Sequence, residues 1–184
     1  TDVENLRVVP SHPDLVAAEV ELVDLEDRAV LLRRALAGIS TDVGIVILDC
    51  PPALGLLTLN ALVAADYLLV PVQCEFFSLD GLARLLHTVD LTRGSLNPDL
   101  RILGLVLTMY DRRNRLTHQV ADEVEKHFPR ETCRTKIPRN VRLAESPSHG
   151  KPVLMFDVQS IGAKAYLDLA DEILERLSSQ EASR

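Results

Sequence analysis

The stretch VGIVILDCPP, Val43 to Pro52, constrains the fold of this chain more than any other. Val43, Ile45, Val46, Ile47 and Leu48 form a short, nearly continuous apolar run, β-branched except at its last member. A run with no polar alternation predicts a strand buried on both faces, the habit of a parallel sheet inside an α/β domain. It ends in Asp49, followed by Cys50 and two prolines. In open α/β sheets, ligands bind just beyond the carboxyl ends of strands. An acid placed there can hold Mg²⁺ directly or through water, while Pro51 and Pro52 cannot continue a ladder and stiffen the exit loop. On these residues alone two readings stand, a magnesium-orienting acid or an Asp that caps a turn.

The rest of the chain alternates strands and helices around that run. Strands are predicted at Leu6–Val9, Tyr67–Val72, Ile102–Thr108 and Arg134–Ile137, the first closed by Pro10 and the last by Pro138. Helices are predicted from Asp14 to Leu22, Asp27 to Ala37, Leu57 to Ala65, Ser78 to about Arg93, Thr117 to His127 and Ile161 to Leu177. Gly38 lies just past the second of these, and Gly94 and Pro98 are expected to break the fourth. This order predicts a mostly parallel, doubly wound sheet with helices on both faces. No repeat, low-complexity tract or linker interrupts it, so residues 1–177 are expected to form one α/β domain, with 178–184 a frayed polar tail.

With 184 residues, the chain is long enough for one sizeable core. Aromatic residues make up only 4% and Trp is absent, so Leu, Val, Ile and Ala must fill that core. No apolar run approaches the roughly 20 residues that span a bilayer, and no signal-peptide pattern opens the chain. Cys50, Cys74 and Cys133 have neither metal spacing nor a disulfide framework, which points to a reducing cytoplasm. Net charge is −7 but uneven. From Tyr110 to Lys151 ten Lys/Arg stand against six Asp/Glu, a balance of +4, whereas the remainder stands at −11. Such a segment is either a polyanion-binding face or an ordinary solvated surface.

Four stretches carry a specific resemblance: VILDCPPALGLLTLNAL, YLLVPVQCEFFSLDGLARLL, LNPDLRILGLVLTMYDRR and, above all, IPRNVRLAESPSHGKPV. Together they make the chain similar to the ParA/Soj family of chromosome- and plasmid-partitioning ATPases, within the deviant Walker-A group that includes MinD. The likeness runs from about Leu6 to Leu177. It departs at one point: the family's first strand and two-lysine phosphate loop have no counterpart. No G-x-x-x-x-G-K-[ST] occurs, and Gly44, Gly55 and Gly81 stand singly. That loop's N–H groups and Lys hold the phosphates, so this chain alone is expected to bind ATP poorly. Since it also opens on Thr1 rather than Met, it is expected to be the C-terminal two-thirds or so of a family member.

The resemblance implies roles by position. Asp49 would be the acid behind the Mg²⁺ shell, and Pro51, Pro52 and Gly55 belong to the segment that senses the γ-phosphate. Thr108 and Met109, with Pro138, Arg139 and Asn140, match the base-binding loops for ATP; strand-ending turns would look the same. Leu57–Ala64 and the Phe76–Asp80 loop match parts of a nucleotide-dependent homodimer face. Arg113 and Arg142 sit where the family's DNA-binding arginines lie, with Arg112, Arg139 and Lys151 as lesser candidates. The activity implied is an ATP-driven switch on non-specific double-stranded DNA, released by a ParB/Spo0J-like partner. A MinD-like membrane ATPase would need a basic amphipathic C-terminal helix, and ERLSSQEASR is polar and mixed in charge. A non-enzymatic adaptor that lost the phosphate loop is the third reading.

Overall fold

The computed structural model describes residues 1, 3–38 and 43–182. The chain divides into two compact units, Thr1–Ala65 with Thr92–Pro98, and Asp66–Leu91 with Asp99–Arg184.

In the first unit a 3-10 turn, Pro13–Ala17, leads into α1 (Ala18–Glu21), followed by α2 (Leu31–Leu36) and α3 (Leu56–Ala64). The helix expected over Asp27–Ala37 is therefore shorter at its start. Val30, before α2, offers no side-chain cap. The buried Asn60 of α3 supplies one instead: its Oδ1 accepts the Leu32 N–H at 3.1 Å, and its amide donates to the Arg28 carbonyl at 2.7 Å. A distant side chain thus decides where α2 begins. The Asn97 amide closes α3 by donating to the carbonyls of Leu62 and Ala65.

Two expected strands are absent from this unit. Leu6–Val9 and the described run Val43–Leu48 join no ladder. Val9 is 92% exposed and Ile47 87%. Apolar, β-branched residues favour a pleated surface, but a strand exists only when a neighbour takes up its N–H and C=O groups. No described segment does so here.

The second unit is built on β1 (Tyr67–Gln73) and β2 (Arg101–Thr108), paired in parallel from Tyr67↔Arg101 to Gln73↔Thr108. Its helices are α4 (Ser78–Ser95, through Leu91 in this unit), α5 (Arg115–His127), α6 (Val141–Glu145), α7 (Val153–Phe156) and α8 (Ile161–Glu181). The apolar run of β2 is buried from Leu103 to Leu107 and serves two cores at once. Leu105 and Leu107, with Val70 and Val72 of β1, pack with Leu82 of α4 and with Ala121 and Val124 of α5. Val106, on the other face, packs with Cys133, Ile137 and Leu169 of α8. A Cβ at Gly104 would lie 2.6 Å from the Cys133 sulfur, so glycine permits this approach. The result is a parallel α/β arrangement with helices on both faces, as the alternation of elements predicts.

The strand expected at Arg134–Ile137 is replaced by an irregular edge. Residues 131–139 run beside β2 and exchange bonds with it: Leu105 N–H to Glu131 O and Cys133 N–H to Leu105 O, both 2.9 Å, and Ile137 N–H to Leu107 O, 2.8 Å. Between the bridges Leu105↔Thr132 and Tyr110↔Pro138, the edge uses one residue more than β2. This is a bulge, and it breaks the ladder. The freed N–H groups of Arg134 and Thr135 turn to the carboxylate of Glu172 on α8, each at 2.9 Å.

Three further boundaries differ. Gly94 lies inside α4, which runs to Ser95. The chain after Leu177 is helical through Glu181, with Ser178 and Ser179 hydroxyls bonded to the carbonyls of Leu174 and Glu175. Short helices also occupy Val141–Phe156, where no element was predicted. No helix among the described residues is long and apolar enough to cross a membrane.

Candidate functional site

Because β1 and β2 are parallel, their carboxyl ends meet at one edge of the second unit, where Cys74 N–H bonds Thr108 O at 3.1 Å. Beyond it lies a cleft of ≈ 350 Å³, lined by Cys74, Phe76, Phe77, Met109, Leu116 and Arg139 among others. The two phenylalanines stand edge to face with centroids 5.6 Å apart, and both are exposed. Met109 has φ +53°. A long side chain seldom adopts the left-handed region, and such strain tends to gather at ligand edges. The Arg139 guanidinium faces Glu75 at 3.8 Å, a charged pair on the wall of the cleft. Burial pushes the Cys74 thiol up to about 11, so it is a neutral packing group rather than a nucleophile.

Of the five base-loop candidates, Met109 and Arg139 line this cleft. Thr108 ends β2, and Pro138 is bridged to Tyr110. Asn140 caps α6, its Oδ1 accepting the Arg142 N–H at 3.0 Å. The cleft's walls are mixed: Phe76, Phe77, Met109 and Leu116 give apolar surface, while Glu75, Asp111, Asn114, Thr117 and Arg139 bring polar and charged groups.

The basic candidates differ sharply in how free they are. The Arg113 side chain is 92% exposed; among the described residues its one close acid is Asp111, 3.5 Å from Nε. The Arg113 N–H, and then the Arg113 charge, hold the Asp111 carboxyl below its ordinary pKa. Arg142 is engaged, 3.0 Å from Glu145 and 3.3 Å from Asp157. Its guanidinium also lies 6.0 Å from the Phe156 ring, which stacks on His149. Arg112 and Lys151 are exposed, Lys151 following Gly150 at φ +61°.

Asp49, Pro51, Pro52 and Gly55 belong to the first unit. Asp49 is exposed. Burial, and next the Asp49 charge, raise the pKa of the neighbouring Cys50 thiol. Gly55 precedes α3, and a Cβ there would collide with the Glu19 carboxylate, which accepts the Leu57 N–H at 3.4 Å. No group of three or more His, Cys, Asp or Glu that could hold a metal occurs among the described residues. Mg²⁺ is commonly held by one or two carboxylates plus water and substrate phosphate. A single acid such as Asp49 fits that manner of binding and not a cation caged by protein alone.

Two constellations were not anticipated. Glu172, 3% exposed, joins Arg176 on α8, and together they bind the bulged edge. The i, i+4 spacing within ADEILER was the available sign, but it looks the same as a surface pair. Tyr110, His118 and Arg112 form a second linked group, described below.

A family model described as an AAA domain matches residues 1–102. Chromosome partitioning protein ParA of Myxococcus xanthus is 49% identical over 176 residues, covering 96% of this chain and 62% of the relative. Sporulation initiation inhibitor protein Soj of Bacillus subtilis is 52% identical over 173 residues, covering 94% and 68%. The chain therefore spans somewhat under two-thirds of the first relative's length and just over two-thirds of the second's. Among solved structures, cobyrinic acid a,c-diamide synthase of Mycobacterium smegmatis with bound ADP and magnesium superposes with a TM-score of 0.77 at 35% identity, over 93% of this chain and 62% of that one. Apo McdA of Cyanothece shares the fold, with a TM-score of 0.78 at 20% identity over 92% and 67% of the two chains. With about half its residues identical to those of such relatives over nearly its whole length, the chain belongs to the ParA/Soj family of chromosome-partitioning ATPases.

Proposed function

We propose that this chain is the larger part of an ATP- and Mg²⁺-dependent switch that dimerises, binds duplex DNA without sequence preference, and is reset when a ParB/Spo0J-like partner stimulates hydrolysis. It would act in the cytoplasm, on the nucleoid. In this reading residues 1–177 work within one α/β ATPase domain. The observation that carries the proposal is Arg113, projecting almost fully into solvent just past the carboxyl end of β2, in the chain's one net-basic segment. Non-specific DNA binding needs solvent-accessible cations that can neutralise phosphates and release their counterions.

Bound nucleotide would bring phosphate charge, its magnesium ion and a hydrolysable bond. The chain's own residues have simpler tasks. Asp49 is an exposed carboxylate able to accept hydrogen bonds from metal-bound water. Gly55, without a side chain, leaves room at the start of α3, where the Glu19 carboxylate now sits; a γ-phosphate sensed there would have to replace it. Met109 and Arg139 offer an apolar contact and a polar rim to a flat base.

Two measurements test the nucleotide half. In the full-length protein, Asp49→Ala should lower Mg²⁺-supported ATP hydrolysis about 10–100-fold, the usual cost of losing an outer-shell metal partner. Turnover equal to the parent would return Asp49 to a turn residue. The 184 residues alone should bind ATP-Mg²⁺ more weakly than micromolar in a calorimetric titration, because they contain no phosphate cradle. Micromolar affinity would contradict that account.

A further inference from the structure

The loop from Tyr110 to Asn114 leaves β2 carrying Arg112 and Arg113, and a single imidazole braces it. His118 sits in the first turn of α5. Its Nδ1 lies 3.1 Å from the Tyr110 hydroxyl, and its Nε2 lies 2.8 Å from the Arg112 carbonyl. The two rings meet edge to face at 5.7 Å. A carbonyl can only accept, so Nε2 carries the hydrogen. In the neutral ring Nδ1 is then an acceptor, and the tyrosine hydroxyl donates to it. Both ring nitrogens are used, one on the strand end and one on the loop backbone.

The anchor beneath is firm. Tyr110 N–H bonds Ile137 O and its carbonyl accepts Arg139 N–H, both at 3.0 Å, while Lys136 Nζ lies 4.8 Å above its ring. On the far side of Arg112, the Asp111 carboxylate accepts the Arg113 N–H at 3.0 Å. The backbone is thus fixed at 112 and 113, while the Arg113 side chain is 92% exposed and meets the Asp111 carboxylate only through Nε, at 3.5 Å.

We propose that His118 is a positioning residue that holds the Arg112–Arg113 backbone outward, so that both guanidinium groups meet a phosphate backbone on a loop already ordered. This rests on the DNA-binding reading above. Ordering a loop on contact subtracts from affinity, and preorganisation removes that cost. His118 itself touches no phosphate in this account.

The test uses the full-length, ATP-loaded protein and the variants His118→Ala, His118→Gln and Tyr110→Phe. Two quantities are read: the rate of tryptic cleavage after Arg112 and Arg113 without DNA, and affinity for a random-sequence duplex. His118→Ala should speed cleavage and weaken DNA binding, each about fivefold, as losing the one hydrogen bond that reaches the loop backbone implies. His118→Gln keeps an N–H that can reach the Arg112 carbonyl and should recover most of both. Tyr110→Phe should show a smaller change in the same direction. The inference is overturned if the parent binds DNA and His118→Ala binds it equally well. It is also overturned if His118→Gln is as impaired as His118→Ala, which would make ring bulk the cause. A parent that binds no duplex in any nucleotide state defeats the underlying reading, and this inference with it.

Discussion

Glu172→Ala should lower the free energy of unfolding by about 3–5 kcal/mol, the usual cost of removing one partner from a buried ion pair. Glu172 is 3% exposed and answers several donors at once. It accepts the N–H groups of Arg134 and Thr135, each at 2.9 Å, and Nε and Nη2 of Arg176 at 3.1 and 3.0 Å. Arg176 in turn donates to the carbonyls of Thr132 at 2.8 Å and Leu103 at 3.0 Å. The pair fastens the bulged edge and the start of β2 to α8. Buried pairs can often be exchanged for apolar residues at no loss. That should fail here, because Glu172→Leu with Arg176→Met leaves the bulge's two N–H groups without an acceptor.

The same residue sets an acid limit. Burial works to raise the Glu172 pKa, but the N–H groups of Arg134 and Thr135 and the Arg176 side chain outweigh it, leaving the carboxyl below its ordinary value of 4.5. A depressed carboxyl stabilises the fold fully above its unfolded pKa, and that contribution is lost as pH falls through the lower folded value. Urea titrations of the second unit's unfolding between pH 7 and 3 should show this acid-side fall, reduced in Glu172→Gln. A loss below about 1 kcal/mol in Glu172→Ala would mean the edge holds without the clamp.

The clamp also marks where sequence reading reached its limit. β2 was legible because a buried parallel strand is apolar without interruption: Ile102–Thr108 expected, Arg101–Thr108 found. The start of α5 was legible in principle. Asn114 caps it by accepting the Leu116 N–H at 3.0 Å, so the helix begins at Arg115, two residues ahead of the predicted start at Thr117. Val43–Leu48 is as apolar a run as the interior of β2 yet joins no ladder, since pairing belongs to the neighbour and not to the run itself. Glu172 and Arg176 look like an exposed helical pair until the bulge at 131–139 brings two free N–H groups against them. Among the site residues, the motif gave positions but not their freedom. Arg113 and Arg142 looked equivalent as letters, and only the fold surrounds one of them with acids.

That difference in freedom gives unequal expectations for DNA. In the ATP-loaded, full-length protein, unrelated duplexes should bind with similar affinity and a steep dependence on salt. Arg113→Ala removes one phosphate contact per protomer, two in a dimer. With a slope of about −0.9 per contact, affinity at about 0.15 M salt should fall roughly 30-fold for every sequence, and the slope should flatten by one to two units. Arg142→Ala should cost less. Its guanidinium already lies 3.0 Å from Glu145 and 3.3 Å from Asp157, so a phosphate must displace two carboxylates to reach it. Part of what DNA gains there is spent in breaking those pairs. By the same logic Arg139, facing Glu75 at 3.8 Å, should matter less than Arg113. Dimerisation should survive each substitution, because none of these side chains is assigned to the dimer face. Filter binding against salt, paired with light scattering, reads both quantities. If Arg142→Ala proves the costlier change, its acidic partners release it on binding and the exposed arm is secondary. If neither substitution moves affinity or slope while the dimer forms normally, the segment from Tyr110 to Lys151 is solvated surface and the DNA face lies elsewhere.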